Sequence, residues 1–310
     1  MDRRLRTMAG SRGGVFSIAE AAALGVTGND LTALVRRGEL VRVRRGAYVL
    51  ADVFAAADIG GRYRLRVLAV MRSRPRSDRA SHHSALALLD IPFASAPLNT
   101  VLAESRVSGR RTSGGLHLHA PTTAPGRRIG DIRLVSPEVA CVQVAARYGV
   151  EAGVCAMDSA LHLKRCTRAD LDGAVEQLDP RRRARARLAV RATEPLTESV
   201  GESRTRLILS DAGFAVRPQV EIRDGVRLLG RVDFLVDDCV VVEFDGMVKY
   251  EDITGKAALA AEKDRESRIT RLGYEVVRVV WSDLDDPVGI VQRVVTAQRT
   301  ARARRAAMSR

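Results

Sequence analysis

Two apolar runs constrain this chain more than any other part of it. Residues 230–236, Gly-Arg-Val-Asp-Phe-Leu-Val, and 239–246, Cys-Val-Val-Val-Glu-Phe-Asp-Gly, are joined by Asp237 and Asp238. Short apolar runs split by a polar turn read as neighbouring strands of a buried sheet. Three acids, Asp233, Glu243 and Asp245, stand where apolar residues are expected. Side chains alternate along a strand, so Glu243 and Asp245 point the same way. Carboxylates about 4 Å apart repel by roughly 4 kcal/mol at an effective dielectric near 20. A fold keeps such a cluster most easily when a cation sits among the acids or one acid holds a proton. The cluster therefore points to a metal site.

At 310 residues the chain has room for two or three domains, each with its own core. No apolar run reaches the length of about 18 residues that spans a bilayer, and the opening Met-Asp-Arg-Arg-Leu-Arg does not resemble a signal peptide. Cys141, Cys155, Cys166 and Cys239 lie far apart with no CxxC pair, which suits reduced thiols in a cytoplasmic protein. A net charge of +14 attracts polyanions, and nucleic acid is the expected partner. An arginine-rich proteome would raise the charge in the same way, and the basic residues are nearly all Arg. Lysine occurs only as Lys164, Lys249, Lys256 and Lys263.

Residues 1–52 carry the pattern of a small helical DNA reader. Ser17 caps a helix through Leu24, with Glu20 completing a capping box, and Gly25 ends it. A second helix starts at Thr27, Asn29 or Asp30 and turns Leu31, Leu34 and Val35 inward. The alternation from Leu40 to Leu50, broken at Arg45-Gly46, is a two-stranded wing. Together these make a winged helix-turn-helix whose second helix enters the major groove. Arg36, Arg37, Arg42, Arg44 and Arg45 are placed to meet phosphates, although a solvated face would look the same.

Residues 53–195 form an α+β middle domain. Helices are expected at Arg62–Met71 and Ser84–Leu89. Short strands are expected around Thr100–Leu102, Leu116–His119 and Ile132–Val135, before a helix opened by Ser136-Pro137-Glu138. Further helices run from Ala152 to Leu163 and from Arg168 to Leu178, and an arginine-rich stretch follows Asp179-Pro180. The pairs His82-His83 and His117-x-His119 lack a third ligand at useful spacing, so a structural or surface role is expected for both. Residues 196–310 read α-β-β-β-α-β with a helical, basic tail. A helix runs from Glu198 to Ala212 and another from Ala257 to Leu272, with outer strands Val216–Ile222 and Tyr274–Trp281.

Six elements in order within the third segment carry a resemblance. They are Gly201-Glu202-Ser203-Arg204, Gln219, Val232-Asp233-Phe234, Val242-Glu243-Phe244-Asp245-Gly246, Lys263-Asp264-Arg265, and Leu272 through Arg278. The segment resembles the PD-(D/E)XK nucleases, in particular the branch similar to very-short-patch-repair endonucleases. That resemblance implies a restriction-endonuclease-like fold and hydrolysis of DNA phosphodiester bonds. It also implies Mg²⁺, or Mn²⁺ in its place, ligated by Glu202, Asp233 and Glu243. Magnesium takes hard oxygen ligands and keeps several waters. Bound there, it would activate a water and neutralise the scissile phosphate. Asp245 stands where the superfamily's Glu-x-Lys lysine is expected, which leaves Lys249 or Lys263 to stabilise the charge. Arg265 pairs with the acids or with a phosphate in this reading.

A second resemblance covers residues 10–165. Gly38-Glu39-Leu40, Arg45-Gly46-Ala47-Tyr48, Ser81 through Ala87, Ser136-Pro137-Glu138 and Ala156 through Leu161 are similar to AbiEi-type antitoxins of type IV toxin–antitoxin systems. This implies a winged helix that represses its own operon and a toxin partner encoded nearby. The two resemblances lead to two expectations. One is a DNA-binding, magnesium-dependent endonuclease-like protein; the other is a non-catalytic antitoxin or repressor with a degenerate nuclease-like domain.

Overall fold

The computed structural model describes residues 1–107, 109–124, 126–246 and 253–308, with side chains from 262 onward in the last stretch. Lys249 lies outside the described residues, as does the side chain of Lys256. The chain divides into two compact units, Met1–Thr193 and Glu194–Arg310.

The first unit opens with α1 (Arg3–Gly10), β1 (Val15–Ser17), α2 (Ile18–Ala22), α3 (Gly28–Arg36), β2 (Leu40–Arg44) and β3 (Ala47–Leu50). The expected capping box of Ser17 with Glu20 starts α2; of the three candidate starts for the next helix, Thr27 caps α3 and forms a second box with Asp30. Each pair satisfies backbone N–H groups that a helix start leaves without partners. Leu31 and Leu34 of α3 are buried with Leu5, Phe16, Leu40 and Leu50. Two elements here were not expected from sequence. Helix α1 supplies Leu5 to this core, and β1 adds a third strand to the hairpin, in the order β1-β3-β2.

Helices α4 (Ala51–Ala56) and α5 (Ile59–Arg72) follow, then β4 (Arg79–Ala80), α6 (His82–Leu88), β5 (Val101–Glu104), β6 (Arg111–Ser113), β7 (Leu116–His119), β8 (Gly126–Ile129) and β9 (Ile132–Val135). The six strands form one mixed sheet in the order β6-β7-β5-β4-β9-β8. Four helices complete the unit: α7 (Pro137–Tyr148), α8 (Val150–His162), α9 (Arg168–Glu176) and α10 (Pro180–Arg191). Pro137 sits in the first turn of α7, where its missing N–H costs nothing. Gly153 lies so close to Ala145 that an added Cβ would come within 2.4 Å of that side chain, which explains a glycine inside α8.

The second unit runs α11 (Val200–Asp211), β10 (Val216–Asp224), β11 (Arg227–Val236), β12 (Val240–Asp245), α12 (Ile253–Arg271) and β13 (Glu275–Val280), then a 3-10 turn at Trp281–Asp285 and α13 (Pro287–Met308). Its sheet is β10-β11-β12-β13, with the last pair parallel and the others antiparallel. Leu209 of α11 and Ile290 and Val294 of α13 pack with Phe234, Val242 and Val279. Ile269 of α12 packs with Leu235 and Val241 in a second cluster. The sheet is thus covered on both faces, which is why its central strands read as nearly continuous apolar runs. Asp237 and Asp238 make the tight turn at φ 44° and 58°, left-handed values that Asp tolerates in a two-residue hairpin loop.

Candidate nucleic-acid interface and acidic centre

Charge is divided unevenly between the two units. Residues 1–193 hold 32 basic and 17 acidic residues, and residues 194–310 hold 19 and 20. The whole positive excess therefore belongs to the first unit.

Within it, Arg36 closes α3, Arg37 follows, and Arg42 and Arg45 belong to the hairpin; all four are exposed. Arg37 Nε donates to Glu39 at 2.8 Å. Among the described residues, no carboxylate pairs with Arg36, Arg42 or Arg45. Arg44 has a different environment: its Nη2 donates to the Ser113 carbonyl at 3.2 Å, at the end of β6. Arg66 of α5 donates to the Val43 carbonyl at 3.1 Å, so the hairpin is braced from the middle part of the same unit.

Three histidines of this unit form one cluster, His82 and His83 buried and His119 half-buried. Ser81 bridges two of them, its hydroxyl lying 2.8 Å from His119 Nε2 and 3.1 Å from His82 Nδ1. The rings of His82 and His119 meet edge to face at 5.0 Å. His83 stacks on Tyr63 and bonds the Pro97 and Thr100 carbonyls. Burial lowers the pKa of all three, that of His83 to about 4.

In the second unit the acids fall into two groups. The β11–β12 ladder ends at Phe234 opposite Val242, and Asp233 and Glu243 follow one step beyond. There the Asp233 carboxylate takes over the ladder's role, accepting from the Phe244 N–H at 2.8 Å. Glu202, in the first turn of α11 and 7% exposed, accepts from the Glu198 N–H at 3.0 Å and from Gln219 Nε2 at 3.2 Å. Gln219 interrupts β10 at φ 51°, a left-handed conformation that is unusual in a strand, at the point where its amide reaches Glu202. Burial pushes the Asp233 carboxyl up to about 6, helped by the negative charges of Glu202, Glu198 and Asp245. Among the described residues, the cation paired with this inner group is Arg231, on Glu198 at 2.6 Å.

The outer group is arranged differently. Arg265 of α12 donates to Glu243 at 2.7 Å and to Glu262 at 2.8 Å. Arg278 of β13 donates to Glu262 at 2.6 Å, Glu266 at 3.0 Å and Asp245 at 3.3 Å, and lies 3.8 Å from Glu243. Bonding to Arg265 holds the Glu262 carboxyl down to about 2, while burial raises that of Glu243 against its two arginines. Lys263 is exposed on α12. The close packing behind the site is set by Gly201, where an added Cβ would fall 2.0 Å from the Phe244 ring; that ring meets Trp281 edge to face at 5.1 Å.

These contacts bear on whether a divalent ion fits. Magnesium needs several carboxylate or water oxygens in near-octahedral array. Glu243 gives its carboxylate to Arg265, and Asp233 gives one oxygen to a backbone N–H. Among the described residues, no group of three or more His, Cys, Asp or Glu is arranged to hold an ion. In this arrangement guanidinium groups supply the positive charge on the Glu243 side. Arg265 was readable as a partner of the acids, Arg278 only as the last residue of a matching element with no role attached, and Glu262 was missed.

Among the described residues, no helix is long and apolar enough to cross a membrane. The model of a family described as "Transcriptional regulator, AbiEi antitoxin" matches residues 3–51, which are α1 through β3 and the first residue of α4. Two uncharacterized proteins of Mycobacterium tuberculosis, from strains CDC 1551 / Oshkosh and ATCC 25618 / H37Rv, are each 28% identical to this chain over 289 residues. The alignments cover 91% of this chain and 100% of each relative.

Proposed function

We propose that this chain is a DNA-binding transcriptional regulator of the AbiEi antitoxin type, with its nuclease-like second unit serving binding rather than cleavage. The observation that carries this reading is the antitoxin-regulator match over residues 3–51, the segment holding the two capped helices and the basic hairpin. In this reading residues 1–52 are a winged helix-turn-helix. Helix α3 enters the major groove, and Arg36, Arg37, Arg42 and Arg45 contact phosphates around it. The residence of all excess positive charge in residues 1–193 supports the same assignment. The second unit takes the restriction-endonuclease-like αβββαβ layout, and a toxin encoded nearby is the protein partner. The site of action is the cytoplasm.

The test is fluorescence anisotropy with duplex DNA from the chain's own promoter region, in parallel with Arg36→Ala/Arg42→Ala. Binding should weaken steeply with salt, fall at least tenfold in the double variant, and survive Asp233→Ala. Equal affinity of wild type and double variant for promoter DNA would sink the winged-helix assignment.

A second reading, a magnesium-dependent endodeoxyribonuclease, is favoured by one observation. Glu202 and Asp233 gather negative charge that, among the described residues, no cation pairs with directly, and Asp233 is pushed up to about 6. In that reading Glu202, Asp233 and Glu243 hold the ion, which supplies charge neutralisation at the scissile phosphate. Asp245 and Lys263 flank the reacting groups, together with Lys249 outside the described residues. Incubation with single-stranded, duplex and mismatched DNA in Mg²⁺ or Mn²⁺, against Asp233→Ala, decides it. Indistinguishable cleavage by the two proteins eliminates this reading.

A further inference from the structure

The middle part of the first unit is more basic than the winged helix, with 23 basic and 12 acidic residues between positions 53 and 193. Part of that charge lies in one line. Arg128 pairs with Arg133 across β8 and β9, Arg133 with Arg79 across β9 and β4, Arg79 with Glu104, and Glu104 with His119. Residues directly opposite in neighbouring strands project to the same face, and like charges there repel. Three arginines in consecutive register positions therefore face one carboxylate. Arg79 takes that carboxylate, donating Nε to Glu104 at 2.8 Å, and its remaining N–H groups reach the Thr122 and Ala124 carbonyls. Arg128 and Arg133 are exposed and, among the described residues, have no carboxylate partner.

Beside this row is a cavity of about 200 Å³ lined by Arg79, Glu104, Arg106 and Arg133 with the hydroxyl residues Ser77, Ser105 and Thr122. The acids nearby are already engaged. Glu104 is bound by Arg79, Asp78 by Arg74 at 2.8 Å and by the Ser105 hydroxyl, and Asp131 by Arg72 at 3.5 Å. Arg106 is exposed at the rim and, among the described residues, likewise lacks a carboxylate. A concave site with two uncommitted guanidinium groups and no available acid suits a tetrahedral oxyanion, since Arg presents paired donors to phosphate oxygens.

We propose that this cavity between β4, β5 and β9 is a phosphate-binding site that takes a backbone phosphate of the DNA bound by the first unit. The phosphodiester assignment rests on the DNA-binding reading above; the affinity for a phosphate group does not. The repulsion between Arg128 and Arg133, unfavourable in the free protein, is relieved when the anion arrives.

The experiment compares full-length wild type, Arg106→Ala/Arg133→Ala and Arg36→Ala/Arg42→Ala. Duplex DNA affinity is measured by anisotropy across a salt series, and inorganic phosphate binding by calorimetry. Each lost phosphate contact lowers the slope of log K against log salt by roughly 0.9. The cavity variant should lose roughly 0.9 in that slope, one phosphate contact, and keep the wild-type melting temperature. If the DNA slope is unchanged but inorganic phosphate binding disappears in the cavity variant, the site takes a free phosphate rather than a backbone one. If wild type binds no DNA at all, the winged-helix reading fails and the phosphate titration still decides the cavity. Unchanged DNA slope together with phosphate binding that is undetectable, or equal in both proteins, overturns the proposal.

Discussion

Asp233→Asn should stabilise the second unit at neutral pH, and the structure gives the size of the effect. The ordinary carboxyl value is 3.8, and burial with nearby negative charge raises it in the folded unit to about 6. At about 1.4 kcal/mol per pH unit, holding Asp233 ionised costs the folded state about 3 kcal/mol above pH 6. Asparagine carries no charge and keeps an oxygen for the Phe244 N–H, so it removes the cost without losing that bond. The sign follows from linkage. Between pH 3.8 and about 6 the folded carboxyl holds a proton that the unfolded one releases, so wild type gains on the variant as pH falls. The advantage of Asn is then complete above pH 6 and gone below 3.8. Trp281 is the single tryptophan and contacts the Phe244 ring, so its fluorescence reports unfolding of this unit alone. Urea melts read at that tryptophan in EDTA should show a gain of about 1–3 kcal/mol at pH 7.5 and almost none at pH 4. A gain independent of pH, or none at pH 7.5, would refute the electrostatic reasoning. Adding millimolar Mg²⁺ extends the test, since an ion bound to the folded state raises wild-type stability in proportion to log concentration above Kd. No such rise argues that guanidinium groups, not a metal, balance this site.

Arg265→Ala should cost roughly 2–4 kcal/mol by leaving Glu243, whose side chain is 12% exposed, without its closest cation. Adding Glu243→Gln should recover much of that loss, a coupling that a double-mutant cycle measures. Gly201→Ala should destabilise by at least about 1–3 kcal/mol because its Cβ would overlap Phe244, and it should shift Trp281 emission. Gly173→Ala, in an open helical position with nothing within 4 Å, should instead stabilise by about 0.5–1 kcal/mol in a thermal melt. The first unit should lose stability on acidification. His83 falls from 6.5 to about 4 on folding, so the unfolded chain takes up protons first and stability drops as pH falls below 6.5. That histidine alone accounts for about 3 kcal/mol by pH 4, and a first-unit melting temperature unchanged between pH 7.5 and 5 contradicts the buried neutral assignment.

Much of the fold was legible because local chemistry specified it. Ser17 with Glu20 announced the first capped helix, Thr27 was one of three candidate starts for the second, and Asp237-Asp238 between two apolar runs announced the central hairpin. Strand β4 was missed because two residues, Arg79 and Ala80, carry no periodicity. The expected second helix of the third segment, Ala257–Leu272, begins four residues earlier at Ile253. The acids of the candidate site were also legible, since Asp233 and Glu243 break apolar runs. Of their partners, Arg265 was a candidate and Arg278 was not. Whether Glu243 meets a cation depends on how α12 and β13 bring Arg265 and Arg278 onto it, a matter of tertiary packing. The same holds for Arg44, whose guanidinium lies in a hairpin read as DNA-facing yet bonds Ser113, 69 residues away.

In the DNA-binding reading proposed above, the uneven division of charge affects how the protein finds its target. A DNA duplex pulls on residues 1–193 from a distance, and the near-neutral residues 194–310 feel little of that field. Capture is therefore the task of one unit, fast at low salt and slow at high salt. The other arrives as passenger, held near the DNA at the millimolar effective concentrations that a covalent tether of short length provides. It needs no nucleic-acid affinity of its own to act there, and whatever it binds is brought to the operator with it.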